Sequence, residues 1–222
     1  MQIFNQRIIH SVLWGAIGFG VGFALVGAIF EAIYLNIPDF DAGLKIGALL
    51  YALAGGIGGA LLGFASKSRN KIGLFSLAGA LGCGLGYYGA FSFYSVYVEP
   101  RMALSNFLAF AIVDSMRYAI IGAFIGVSLG SIQKNWGQAA WLALAGAGGF
   151  GLGYLTLISI SYVIGPLREL DIITLMIIFS ISNAIIGICG GATLGLALGR
   201  HQADILLPPS AGIRAEGKTA LT

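Results

Sequence analysis

Six stretches of the chain are predominantly apolar and longer than the ~20 residues that a helix needs to cross a bilayer. They lie near 8–35, 44–65, 72–98, 104–131, 139–164 and 171–199. Spans this long and this apolar argue against a membrane-spanning β-barrel, whose strands alternate apolar and polar residues. Only 9% of the 222 residues are charged, whereas a soluble domain carries about 25%. We therefore predict an all-α membrane protein with six transmembrane helices.

A glycine-rich phrase occurs three times, as GAIGFGVGF at 15–23, GALGCGLGY at 79–87 and GAGGFGLGY at 146–154. It opens the first, third and fifth apolar stretches, while the second, fourth and sixth carry glycines spaced four residues apart. Internal repetition of this kind indicates a quasi-symmetric membrane fold. The pattern predicts three helical-hairpin repeats, at about 8–66, 72–132 and 139–199, within one domain that spans 1–200. A proline ends the first helix of each hairpin, because proline cannot donate the next helical hydrogen bond; these are Pro38, Pro100 and Pro166.

The basic residues indicate the orientation, because Lys and Arg concentrate on the cytoplasmic side of membrane proteins. Most of them fall on one side of the predicted spans: Arg7, Lys67, Arg69, Lys71, Lys134, Arg200, Arg214 and Lys218. We therefore expect both termini to be cytoplasmic, with 201–222 as a tail of little fixed structure. The net charge of +3 reflects this topology and does not indicate a nucleic-acid partner.

The repeated glycines predict close contact between helices. In lipid, apolar side chains gain little from meeting each other, so helices associate through close backbone packing at small residues. We expect the glycines to close each hairpin, which would make the bundle tight on the cytoplasmic side and splayed toward the outside. A glycine-lined passage is the alternative. The eighteen candidate packing glycines are Gly15, Gly18, Gly22, Gly55, Gly59, Gly63, Gly79, Gly82, Gly86, Gly122, Gly126, Gly130, Gly146, Gly149, Gly153, Gly187, Gly191 and Gly195.

Four polar residues within the spans form a candidate permeation cluster: Glu31, Asp114, Arg117 and Asn183. Asp114 and Arg117 are three residues apart and share one helix face. They are either a charged pair in a path that opens outward or a structural pair with Arg117 reaching the interface. Glu31 is either a third charge in that cluster or a solvent-facing residue. Asn183 is suited to a hydrogen bond between helices.

The sequence offers no pattern for catalysis, a metal or a cofactor. Cys83 and Cys189 both lie within spans, where cysteine usually acts as a small apolar side chain. His10 and His201 lie at opposite ends of the chain, which excludes a pair of histidine ligands to a haem inside the membrane. We therefore expect a protein that is not an enzyme and that binds neither a metal nor a cofactor.

Two function classes remain open. The first is a helix-packing subunit or scaffold of a membrane assembly, surrounded by the lipid bilayer and bound to a membrane-protein partner or to further copies of itself. The glycine stripes and the scarcity of buried polar groups favour it. The second is a small-solute or ion permease or channel with an outward-facing vestibule. The internal repeat, the expected splay and the charged cluster favour that alternative.

Overall fold

The computed structural model describes residues 2–34, 37, 39–66, 69–98, 107–164 and 172–206. These residues form six long helices and no strand, as predicted: α1 (Gln2–Tyr34), α2 (Phe40–Ala65), α3 (Arg69–Phe93), α4 (Phe107–Ser131), α5 (Trp136–Ile164) and α6 (Ile172–Leu206). A π-helical turn, Tyr94–Val98, directly continues α3.

All six helices are long and apolar enough to cross a membrane. Their outward surface is apolar as well, and α1 illustrates the pattern. Its exposed side chains recur every four residues, from Ile9 through Ile17 and Leu25 to Ile33, and each of them is a large hydrophobic residue. An apolar stripe of this length on the outside of a bundle fits contact with lipid tails.

Several helix ends differ from the sequence prediction. α1 begins at Gln2 rather than near residue 8, and α6 continues to Leu206 rather than ending near residue 199. The first six residues of the expected tail are therefore helical, and the rest of the tail, 207–222, lies outside the described residues. The three prolines lie outside them too. Hydropathy locates the part of a helix that crosses lipid, whereas the helix itself continues into polar sequence beyond that part.

The six helices form a closed ring in which each packs antiparallel against the next, and α6 packs back against α1. Gly187 lies against Phe19, while Gly195, further along α6, lies against Ser11 of α1. One end of the ring contains the start of α1 and the α2–α3 and α4–α5 connections, and we call it the glycine end. The other end, where α1 connects to α2, α3 to α4 and α5 to α6, is the cavity end.

The glycines of α2, α4 and α6 do not close their own hairpins, which corrects the expectation from sequence. Each stripe lies against the first helix of another hairpin, in the pairs Gly55 with Gly79, Gly122 with Gly146, and Gly191 with Gly15. A Cβ atom on either glycine of such a pair would overlap the backbone of the other.

Contacts within the hairpins come from the later glycines of the repeated phrase. Gly18 and Gly22 of α1 lie against Gly58 and Ala54 of α2. Gly82 and Gly86 of α3 likewise lie against α4, and Gly149 and Gly153 of α5 lie against α6. The phrase serves both interfaces because each helix in a ring has a neighbour on either side.

Candidate functional site

A cavity of about 310 Å³ lies inside the ring, in the half toward the cavity end. All six helices line it, and its lining includes Gly27, Tyr51, Tyr87, Asp114, Arg117, Tyr118, Tyr154 and Asn183. A volume of this size lies at the lower end of the range of small-molecule sites, about 300–1,000 Å³. Such sites combine apolar and aromatic walls with a few polar groups that fix the orientation of a ligand, and this cavity has that composition.

The charged part of the cavity is the ion pair between Asp114 and Arg117, whose side chains are only 8% and 15% exposed. Their spacing of three residues on α4 places both on the face of the helix that lines the cavity. The hydroxyl of Tyr154, on α5, donates a hydrogen bond of 2.6 Å to Asp114 Oδ2. The pair is therefore held from a second helix.

Two aromatic rings cover the guanidinium of Arg117. Its central carbon lies 3.8 Å from the ring centroid of Tyr94 and 4.6 Å from that of Phe91, within the ~6 Å at which a cation is attracted to a ring face. Arg117 Nε is buried and has no hydrogen-bond partner among the described residues. Tyr94 begins the π-helical turn, a distortion that is frequent at functional sites.

Hydrogen bonds among α2, α4 and α6 form the floor of the cavity. Tyr51 donates a hydrogen bond of 3.0 Å to Asn183 Oδ1, and the hydroxyl oxygens of Tyr51 and Tyr118 are 3.5 Å apart. The amide nitrogen of Asn183 donates to the carbonyl oxygen of Phe179, one turn earlier on α6. Because α2, α4 and α6 are not neighbours in the ring, the contacts of Tyr51 cross its interior.

Three phenylalanine rings fill the interior on the glycine side of this floor. Phe19, Phe23 and Phe150 are fully buried, and their ring centroids are 5.1–6.4 Å apart. Phe23 also lies 5.3 Å from the ring of Tyr51. Since Phe19 and Phe150 belong to the non-adjacent helices α1 and α5, their contact closes the centre of the ring. The cavity is thus closed toward the glycine end.

Three of the four polar residues singled out in the sequence line this one cavity: Asp114, Arg117 and Asn183. The fourth, Glu31, belongs to α1, but its side chain lies outside the described part of the structure. The structure thus joins the charged pair of α4 and the amide of α6, which are far apart in sequence.

The sequence analysis missed the tyrosines, although the repeat contains a signal for them. Tyr87 and Tyr154 occupy the last position of the repeated phrase. Tyr51, Tyr118 and Asn183 each lie four residues before the first glycine of the stripe on their own helix, which is α2, α4 and α6 respectively. Aligning the three glycine-rich segments of the sequence would have predicted one common depth in the membrane for the residues of each set.

Among the described residues that line the cavity the one carboxylate is Asp114, which is already paired with Arg117 and Tyr154. Within the described ranges, no three His, Cys, Asp or Glu residues come close enough to hold a metal ion. Cys83 is fully buried among core residues. What the described cavity can supply is therefore charge, hydrogen bonds and aromatic surface for binding.

The six apolar helices and their outward surface define a multi-pass integral membrane protein in contact with the lipid bilayer. Comparison with protein-family models, curated proteins and solved structures finds no match. The function must therefore be argued from the cavity.

Proposed function

We propose that this protein is a permease for a small polar solute, which binds in the cavity beside Asp114 and Arg117. The observation that supports it most is the buried ion pair at the wall of a cavity inside a membrane bundle. Ionisable groups are costly at such depth and usually mark a pathway or a binding site. A bundle built only for packing gains nothing from the pair, because apolar residues of similar volume are often as stabilising. We propose binding and passage of the solute without catalysis.

The contacts of the glycines within the ring weaken the main argument for the scaffold alternative. A Cβ atom at any of the eighteen candidate glycines would lie 3.0 Å or less from an atom of a neighbouring helix in the same chain. These eighteen glycines therefore build the ring and are not available to a protein partner. A partner or a second copy would have to bind the apolar outer surface, which equally suits lipid.

We further propose that the ring consists of three related hairpins around an approximate threefold axis, which passes through the cavity. The three equivalent glycine pairs described above support this arrangement. So does the floor of the cavity, because Tyr51, Tyr118 and Asn183 hold the same position in each repeat and meet at the centre. Membrane transporters commonly place their site at the interface between internal repeats.

Compensating side-chain sizes also support the repeats. Three residue pairs hold equivalent positions in the sequence. In each pair the first residue lies four positions after the start of the repeated phrase, and the second lies three positions after the first glycine of the stripe on α2, α4 or α6. The pairs are Phe19 with Gly58, Cys83 with Ile125, and Phe150 with Gly190. In the first and third hairpins the phenylalanine ring lies on the glycine. In the second hairpin the large residue is on the other helix, and both residues are fully buried.

The proposed correspondence can be tested by replacing Phe19 and Gly58 with the residue types of the second pair, cysteine and isoleucine. We expect Gly58→Ile alone to lower the melting temperature, because a Cβ at Gly58 would lie only 2.5 Å from the ring of Phe19. Overpacking of this kind costs about 1–3 kcal/mol. The double variant Phe19→Cys/Gly58→Ile should recover most of the loss in a thermal unfolding assay in detergent. A double variant no more stable than Gly58→Ile would contradict the proposed correspondence.

In the proposed mechanism the solute enters from the cavity end and passes when the floor and the phenylalanine rings move apart. Tyr51, Asn183 and the rings of Phe19, Phe23 and Phe150 form that barrier. Rearrangement of repeats around a fixed central site is the usual form of alternating access. With both termini cytoplasmic, as the basic residues favour, the cavity faces the outside of the membrane.

The permease proposal predicts solute exchange by the purified protein in liposomes. Liposomes are loaded with an unlabelled solute, and entry of its labelled form is measured for an amino acid, a monocarboxylate, a monoamine and a sugar. We expect at least one solute to enter well above the rate in protein-free liposomes. The double variant Asp114→Ala/Arg117→Met should lose about nine-tenths or more of this rate, equivalent to about 1.4 kcal/mol or more, because it removes both charges from the cavity.

The matched control is Asp41→Ala/Lys45→Met, which removes an ion pair on α2 that is exposed and outside the cavity. This control should exchange solute at the parent rate. If no solute exchanges, or if the two double variants exchange solute at the same rate, the cavity is not a permeation site. The scaffold alternative is then favoured.

A further inference from the structure

Resting on the proposed function, we infer that the solute is a zwitterion with an ammonium and a carboxylate a few ångströms apart, of the α-amino acid type. The charge balance of the cavity is the first argument. Among the described lining residues the charged ones are Asp114 and Arg117, which neutralise each other, so a solute with a net charge would leave one charge uncompensated in a poorly solvated site. A zwitterion that lies antiparallel to the ion pair adds one opposite charge beside each residue and leaves the total at zero.

The free atoms of Arg117 point to a carboxylate. The central carbon of its guanidinium lies over the rings of Tyr94 and Phe91, while the N–H donors of the group lie in the guanidinium plane. Nε, one of these donors, is buried and has no partner among the described residues, so a carboxylate that reaches it would satisfy a donor that is otherwise unpaired. The planar oxygens of a carboxylate match the in-plane donors of a guanidinium better than other acceptors do.

The acceptor capacity of Asp114 points to an ammonium. Its two oxygens together offer about four lone-pair sites. One oxygen is paired with Arg117, and the other accepts one hydrogen bond from Tyr154. Asp114 can therefore accept a further hydrogen bond from a solute ammonium without releasing its present partners.

The rest of the cavity suits an apolar or aromatic body. Away from the ion pair and from the polar Ser182 and Asn183, the lining includes tyrosine rings and the aliphatic Leu157, Ile158, Ile178 and Ile186. Since one liquid water occupies about 30 Å³, the cavity of about 310 Å³ has room for about ten waters. That is enough for an amino acid with a side chain as large as leucine or phenylalanine.

Three ligands with the same aromatic ring but different charges test this inference. L-phenylalanine has both charged groups, phenethylamine has no carboxylate, and hydrocinnamate has no ammonium. We expect L-phenylalanine to bind the purified full chain in detergent at least about tenfold more tightly than either analogue, a difference of about 1.4 kcal/mol or more. Titration calorimetry measures the affinities, and the rise in melting temperature provides a second readout. L-leucine serves as a second zwitterion.

The inference is overturned if neither zwitterion binds, or if an analogue with one charge binds as tightly as L-phenylalanine. Asp114→Ala/Arg117→Met should lose binding of the zwitterions, while Asp41→Ala/Lys45→Met should retain it. Binding of a zwitterion without exchange in liposomes would support the site and refute the permease. Exchange of another solute without zwitterion binding would support the permease and refute the inferred solute class.

Discussion

Replacing Gly146 by leucine will destabilise the ring strongly, whereas the same replacement at Gly148 will be tolerated. The two glycines are two residues apart on α5, so the gain in helix propensity and in apolar surface is the same for both variants. A Cβ atom at Gly146 would overlap the carbonyl group of Gly122 on α4, while one at Gly148 would meet no atom within 4 Å. Gly148 is also exposed on the outside of the ring.

The expected difference is large because the clash involves backbone, which cannot move aside without separating two helices. Extra methylene groups in a packed core typically cost about 1–3 kcal/mol and sometimes more, and leucine at Gly146 should reach or exceed the upper value. We expect Gly146→Leu to lower the melting temperature and to broaden the elution profile in mild detergent. Gly148→Leu should match the parent protein. Equal stability of the two variants would refute the backbone contact between α4 and α5.

The second large effect concerns Asp114. Asp114→Ala leaves the buried guanidinium of Arg117 without its counter-ion, and removal of one partner from a buried pair costs about 3–5 kcal/mol. The double variant Asp114→Ala/Arg117→Met should be close to the parent in stability, because apolar residues often replace a buried pair without loss. Thermal unfolding of the three proteins in one detergent measures both differences.

Asp41→Ala is the control for this comparison, since it removes one partner of the exposed pair with Lys45. Exposed ion pairs often contribute nothing measurable, so this variant should unfold with the parent protein. If Asp114→Ala also unfolds with the parent, the pair is solvated rather than buried. If the double variant is as unstable as Asp114→Ala, the side chains contribute through packing rather than through their charges.

The number of helices and the apolar segment of each could be predicted from the sequence, because local composition specifies a membrane helix. It did not predict how the glycines pair. The spacing of Gly187, Gly191 and Gly195 defines a stripe on α6, but a stripe does not state which helix it will meet. The contact with α1 depends on the closure of the whole ring, and no local pattern encodes that closure.

The candidate site was predicted from sequence only in part, and for a similar reason. Asp114 and Arg117 stand out because charges are rare within apolar spans. Tyr51 and Tyr154 do not, because tyrosine is common in membrane helices and carries no charge. Their roles come from partners on other helices, Asn183 and Asp114, and the local sequence around each tyrosine does not identify those partners.

The contact between α6 and α1 also has a consequence for biogenesis. As the chain leaves the ribosome, α1 enters the membrane first, but the helix that covers Gly15 and Ser11 is the last of the six to follow. Until then the growing assembly is an open arc with two unprotected edges, and Gly15 remains available to other helices in the bilayer. Insertion of α6 is thus the step that closes the ring, and a nascent chain stalled before it would present both edges to the machinery of quality control.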